Sequence, residues 1–206
     1  AAIEGKKINF KEFVDRMPSV RLSNYLFTRD SGWHYKNVSA DWGLDEPSFS
    51  NGAAYGDLDN DGDLDLVVNN VNHEAFVYRN YSREKKQNHY LALTFKGPQK
   101  NPFGVGAFIR AYVGGQVLSY DHLPIRGFQS SMDYQLIVGL GPHTAVDSLV
   151  VTWPDNRHNI LTAVPADQRM EIRYSDASTG ARVSSRKPLP DQLLQPIPLA
   201  TAKHDE

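Results

Sequence analysis

Asp57-Leu58-Asp59-Asn60-Asp61-Gly62-Asp63-Leu64-Asp65 places an aspartate at every second position around a single glycine. Carboxylates crowded in this way repel one another unless a cation lies among them. Ca²⁺ is a hard cation that takes about 6–8 oxygen ligands at roughly 2.3–2.6 Å, and alternate side chains of a tight loop can converge on one such ion. The spacing predicts that Asp57, Asp59 and Asp61 contribute carboxylates. Asp63 is expected to offer its main-chain carbonyl, and Asp65 to close the shell with a carboxylate. Gly62 supplies the sharp turn. A turn rich in Asp, Asn and Gly needs no metal by itself, but this many carboxylates exceeds what turn geometry asks for. Ca²⁺ is favoured over Mg²⁺ because an all-protein cage suits the larger ion, and its expected role is that of a structural staple.

The segment after the loop decides the fold class. An EF-hand needs a bidentate Glu at the twelfth loop position and a helix after it. Counted from Asp57, that position is Val68, which cannot bind a cation. Leu64, Leu66 and Val68 alternate with Asp65, Val67 and Asn69, which is the period of a strand. The loop therefore leads into a β-strand, and the chain is expected to be all-β.

Working outward, residues 1–23 form an N-terminal segment in which Ile8, Phe10, Phe13, Val14 and Met17 predict a short helix over 8–17, stopped by Pro18. Residues 24–82 predict a blade-like unit. Tyr25-Leu26-Phe27, a turn at Asp30-Ser31-Gly32 and Trp33-His34-Tyr35 read as a hairpin, and strands over 64–69 and 75–79 flank a turn at 69–72. That makes about four short strands, the content of one propeller blade. The basic run Arg83, Lys85, Lys86 reads as a solvated connection. Residues 88–175 carry further strand signals at 91–95, 107–113, 116–122, 134–139, 146–153 and 168–174, separated by turn residues such as Gly114-Gly115 and Pro154-Asp155. They predict a β-sandwich or a small barrel. Residues 176–206, with Pro188, Pro190, Pro196 and Pro198, read as an extended tail or linker.

Asn51-Gly52-Ala53-Ala54-Tyr55-Gly56-Asp57, the aspartate loop and Leu64-Asp65-Leu66-Val67-Val68 together resemble an FG-GAP (VCBS-type) repeat. Asn88-His89-Tyr90-Leu91, Asn101-Pro102-Phe103-Gly104-Val105-Gly106-Ala107, Arg126-Gly127-Phe128-Gln129-Ser130, Val138-Gly139-Leu140-Gly141 and Val151-Thr152-Trp153-Pro154 resemble the UnbV/ASPIC domain. The pairing is similar to the cartilage acidic protein-like family, frequent among bacterial surface and periplasmic proteins. The resemblance implies a β-propeller blade that binds Ca²⁺ in its connecting loop, with the calcium positions on Asp57, Asp59, Asp61, Asp63 and Asp65. Propellers of this kind carry several repeats, whereas one full aspartate loop is found here. A lone blade cannot bury both faces, so the chain is expected either to be a fragment of a longer protein or to pack its blade on the second domain.

Composition narrows the function classes. The 206 residues carry a formal net charge of −2, which points to neither nucleic acid nor an anionic membrane as partner. Cysteine is absent, which excludes thiol catalysis, zinc-thiolate sites and disulfides. No apolar stretch is long enough to cross a bilayer as a helix. Gly104-Val105-Gly106 begins like a dinucleotide fingerprint, but Ile109 stands where the third glycine belongs. Asp121-His122 has no identifiable nucleophile beside it, and His122 reads as a surface histidine on a strand. Asn37-Val38-Ser39 and Asn80-Tyr81-Ser82 are glycosylation sequons only in a eukaryotic secretory protein. Most of the aromatics Trp33, Tyr35, Trp42, Tyr55, Tyr112, Tyr120, Phe128 and Tyr134 are expected in the core. Arg126 to Ser131 is the expected functional loop. The chain is thus expected to be a non-enzymatic, calcium-binding adhesion or ligand-binding module outside the cytoplasm, with a cell-surface protein or glycan as partner. The alternatives are a carbohydrate-binding module or the calcium-stabilised part of a surface glycan hydrolase. The hydrolase would need a carboxylate pair across a cleft, and Asp121, Asp133, Asp147 and Asp155 lie singly in the sequence.

Overall fold

The computed structural model describes residues 10–179. Residues 180–206 of the expected tail and the first residues of the expected N-terminal helix lie outside the described residues; residues 176–179, expected in the tail, still belong to the fold, with Ser178 bridged to His158. Helix α1 (Phe10–Asp15) is followed by short strands β1 (Leu22–Ser23), β2 (Phe27–Arg29), β3 (Tyr35–Asn37) and β4 (Pro47–Ser48). The aspartate loop then joins β5 (Ser50–Gly56) to β6 (Asp65–Asn70), and β7 (Phe76–Tyr78) and helix α2 (Ser82–Lys86) complete the first half. The expected hairpin is present as β2 paired with β3, Phe27 opposite Asn37. β5, β6 and β7 form an antiparallel three-stranded meander, smaller than a four-stranded blade.

The second half consists of β8 (His89–Lys96), β9 (Phe108–Val113), β10 (Gln116–Asp121), β11 (Leu136–Gly141), β12 (Ala145–Thr152), β13 (His158–Pro165) and β14 (Gln168–Arg173). They make two open sheets, ordered β10-β9-β12-β13 and β11-β8-β14. One apolar core lies between them. Ile109, Ala111, Val113, Leu149 and Val151 come from the first sheet, and Leu91, Leu93, Phe95, Val138 and Ile172 from the second. Trp153 is fully buried at its margin, and its ring N–H donates to Asn159 Oδ1 at 2.6 Å. The arrangement is a sandwich. No closed barrel is present among the described residues, which corrects the barrel alternative: β14 pairs in parallel with β8 and stops the second sheet, so the strands never close on themselves.

Strand β13 is not legible in the sequence. It opens with His158 and Asn159, both buried and polar, and is interrupted by Ala163 at φ 51°, so no apolar alternation marks it. The run over 83–86 is likewise helical rather than a plain connection. Strand β8 is buried on both faces over Tyr90–Leu93. Its outward side chains Tyr90 and Ala92, with Ile137, receive Leu64 from the aspartate loop. The loop is thereby seated on the outside of the sandwich. Among the described residues no helix is long and apolar enough to cross a membrane.

Candidate metal centre

The loop between β5 and β6 turns through Asn60 (φ 64°) and Gly62 (φ 96°). A Cβ at Gly62 would lie 2.2 Å from Tyr90 Cε1, so this position needs glycine both for its backbone angle and for its approach to β8. Asp57, Asp59 and Asp61 bring one carboxylate oxygen each within 4.8 Å of one another, and Asp61, Asp63 and Glu84 form a second such set. Asp61 belongs to both. Glu84, carried by α2, is not anticipated by the sequence pattern.

The two remaining predicted ligands differ in their placement. Asp63 brings its carboxylate to the cluster, and its Oδ2 accepts from Ser82 Oγ at 3.2 Å and from the Arg83 N–H at 3.1 Å. Burial pushes the Asp63 carboxyl above its ordinary value; the Arg83 N–H pulls it back, and the Asp61 charge raises it again. Asp65 stands outside both sets. Its Oδ2 accepts from the Leu58 N–H at 3.0 Å and its Oδ1 from the Asn80 N–H at 2.8 Å, so this buried carboxylate ties the loop to the chain beyond β7.

Among the described residues, three arginines face the loop. Arg79 reaches Asp59 Oδ2 with Nε at 2.7 Å, and Nη2 lies 3.4 Å from Asp61 Oδ2 and 3.0 Å from Glu84 Oε1. Arg83 donates to the Asp61 main-chain carbonyl, lies 3.5 Å from Asp167 and rests over the Tyr90 ring. Arg169, from β14 of the sandwich, lies 3.2 Å from Asp57 Oδ2 and donates to Asn60 Oδ1. For Arg79 a sequence signal exists: β6 and β7 pair with Leu66 opposite Tyr78, so the hairpin register returns residue 79 to the level of Asp65, and Glu84 comes a few residues later. For Arg169 there is none, since it lies 112 residues from Asp57.

The charge is nevertheless not used up. Asp57 Oδ1 and Asp63 Oδ1 are buried and have no hydrogen-bond partner among the described residues. The Asp57 side chain is 1% exposed and Asp63 is 7% exposed. A buried carboxylate oxygen without a partner is costly in a folded protein, and an oxygen-seeking divalent cation would satisfy it. The donor set is all oxygen, which fits Ca²⁺ and not a soft metal.

The other candidates resolve differently. His122 is buried, not on the surface: it packs 4.3 Å from the Phe95 ring, and its Nε2 hydrogen-bonds the Phe103 carbonyl at 2.9 Å. Burial lowers its pKa, against the opposing pull of that hydrogen bond, and holds it neutral. Gly104 and Gly106 form the turn before β9, and Ile109 is a fully buried core residue. Trp33, Tyr35, Trp42, Phe128 and Tyr134 are exposed and Tyr55, Tyr112 and Tyr120 half-buried, a correction to the expectation that most would be core. The loop over 126–131 lies against β5, where a Cβ at Gly52 would meet Ser130 Oγ at 2.9 Å. Nearby, the Tyr55 N–H points to Met132 Sδ at 3.2 Å.

Residues 97–179 match the family described as ASPIC and UnbV. The match covers β9 to β14 with the loop over 126–131, and Arg169 falls inside it. The aspartate loop lies outside it, on the segment that packs against the matched domain. No curated protein matches the chain.

Proposed function

We propose that the chain is a non-enzymatic binding or adhesion module that works outside the cytoplasm and is stabilised by Ca²⁺ held in the aspartate loop. The observation that carries this is the pair of buried, unpartnered oxygens, Asp57 Oδ1 and Asp63 Oδ1, on residues of the two acidic sets that share Asp61. Asp57, Asp59, Asp61, Asp63 and Glu84 would hold the ion. Bound there, Ca²⁺ supplies the positive charge that the three arginines leave wanting and fixes the loop against the sandwich. The likeness of residues 51–68 to an FG-GAP repeat supports the same reading, as does the UnbV/ASPIC match. Millimolar calcium outside cells suits a modest site.

A surface for the partner is offered by the exposed aromatics of the first half. Trp33 is 88% exposed, and Tyr35 and Trp42 are also open to solvent. Exposed rings of this kind suit sugar faces or a protein partner, and they favour carbohydrate binding as the second reading. Calorimetric titration with Ca²⁺, and melting curves in Ca²⁺ and in EDTA, test the proposal. Calcium raises the melting temperature and Asp61→Ala abolishes the gain; a melting curve indifferent to both treatments overturns it. Turnover of a glycan panel would overturn the non-enzymatic part, and glycan binding without product would select the carbohydrate-binding reading.

A further inference from the structure

The Arg79 guanidinium occupies an unusual place among the loop's counter-charges. Arg83 engages the Asp61 main-chain carbonyl and Asp167, and Arg169 engages Asp57 and Asn60. Arg79 alone of the three pairs with the side chains of Asp59, Asp61 and Glu84. Asp59 belongs to the first acidic set, Glu84 to the second and Asp61 to both. One planar, forked cation thus spans the two sets that a divalent ion would bridge, using the multiple donors that suit guanidinium to carboxylates.

We propose that Arg79 is a resident cation that holds the acidic loop together when no metal is bound and competes with the metal for Asp59 and Asp61, so that it sets how much calcium the site requires. The proposal rests on the calcium reading above. A guanidinium and a divalent ion on the same carboxylates repel each other, so each weakens the other's hold. Entry of the ion therefore favours withdrawal of Arg79, and the structure leaves room for that. The side chain is 48% exposed and two of its acceptors, Asp59 and Glu84, are 35% and 47% exposed, whereas the Asp57 side chain that Arg169 holds is buried. Its guanidinium already lies 4.8 Å from the Tyr81 ring centroid, an exposed aromatic face on which it can remain after leaving the carboxylates.

The competition makes the affinity lower than the carboxylates alone would give, and it makes the metal-free loop more stable than they alone would allow. Both effects reverse in Arg79→Gln. Calcium titration of the whole chain is expected to show R79Q binding about tenfold tighter than the unaltered protein, the effect of removing one positive charge several ångströms from a divalent ion in a water-like surround. Its melting temperature in EDTA is expected to fall, so the interval between the EDTA and calcium melts widens. Arg79→Lys keeps a charge but loses the fork that spans three carboxylates, and is expected to fall between the two. If R79Q does not fold without the ion, tighter binding by R79K carries the same conclusion. Equal or weaker calcium affinity in the variant that folds overturns the competition while leaving the calcium site standing. No calcium binding by any of the three proteins overturns the site and the competition with it.

Discussion

The two halves of the molecule are stabilised by different physics. Between the sandwich sheets the buried side chains are nearly all apolar, with Leu91, Leu93, Ile109, Leu149 and Val151 completely enclosed. In residues 24–82 the buried side chains include Val38 and Val68 on the apolar side and Ser39, Ser48, Asp57, Asp63, Asp65 and Asn70 on the polar side. The sandwich gains from apolar area removed from water, at roughly 25 cal/mol per Å². The first half depends on hydrogen bonds and opposed charges, each of small net worth and sensitive to ions in solution. One half should therefore respond to packing changes and ignore calcium, and the other should do the reverse.

The sharpest attempt to break that contrast is Leu149→Ala, in the centre of β12. A cavity there is expected to cost about 2–5 kcal/mol, read as a lower urea midpoint of the same size in Ca²⁺ and in EDTA. Next comes removal of the ion. At free calcium about 100-fold above Kd, binding adds about 2.7 kcal/mol, a large share of a typical total of roughly 5–15 kcal/mol. The calcium-dependent part should be absent from Asp61→Ala and intact in Leu149→Ala. A calcium dependence altered equally by both would mean that the halves are not separable in this way.

Gly62→Ala probes the seam between them. An added methyl meets the Tyr90 ring and demands a backbone angle that alanine avoids. The expected loss is about 1–3 kcal/mol, accompanied by weaker calcium binding, because the loop can no longer sit on β8. Loss of stability with calcium affinity unchanged would show that docking and ion binding are independent.

The smallest effect is that of pH, and it belongs to the sandwich. His122 is neutral in the fold because burial disfavours its charged form. The unfolded chain takes up a proton at this residue near pH 6.5, and the folded chain does not until a lower pH. The contribution of His122 to stability should thus be level above about pH 6.5 and decline as pH falls below it. In His122→Gln, which keeps an N–H donor for the Phe103 carbonyl, this part of the slope should vanish. Urea midpoints in EDTA at pH 7.5 and 5.5 measure it, and an unchanged slope in the variant refutes the assignment.

The same contrast explains which parts of the chain are readable. The strands of the sandwich announce themselves by period, as in Ile109, Ala111 and Val113, because one face of each must enter an apolar core. β13 escapes because buried His158 and Asn159 make hydrogen bonds instead of apolar contacts there, to Thr152 Oγ1 for the one and to Trp153 and the Arg173 carbonyl for the other. His122 escapes in a similar way, its Nε2 bonded to the Phe103 carbonyl inside the fold. Within the acidic loop, Asp57, Asp59 and Asp61 converge as their spacing foretells, whereas Asp65 has both oxygens engaged by backbone N–H groups and Glu84 takes a place that no alternation predicts.

Local spacing alone established that the chain is all-β, that carboxylates gather at 57–65 and that a strand succeeds them, since alternation and turn geometry act over a few residues. The tertiary structure decided which groups face those carboxylates. Arg79 is delivered by a hairpin register, Glu84 by a five-residue helix and Arg169 by the parallel strand β14, late in the chain but paired with β8 beneath the loop. Charges act through space and not along the chain, so the balance of the site became visible only when distant segments were brought within a few ångströms of the loop.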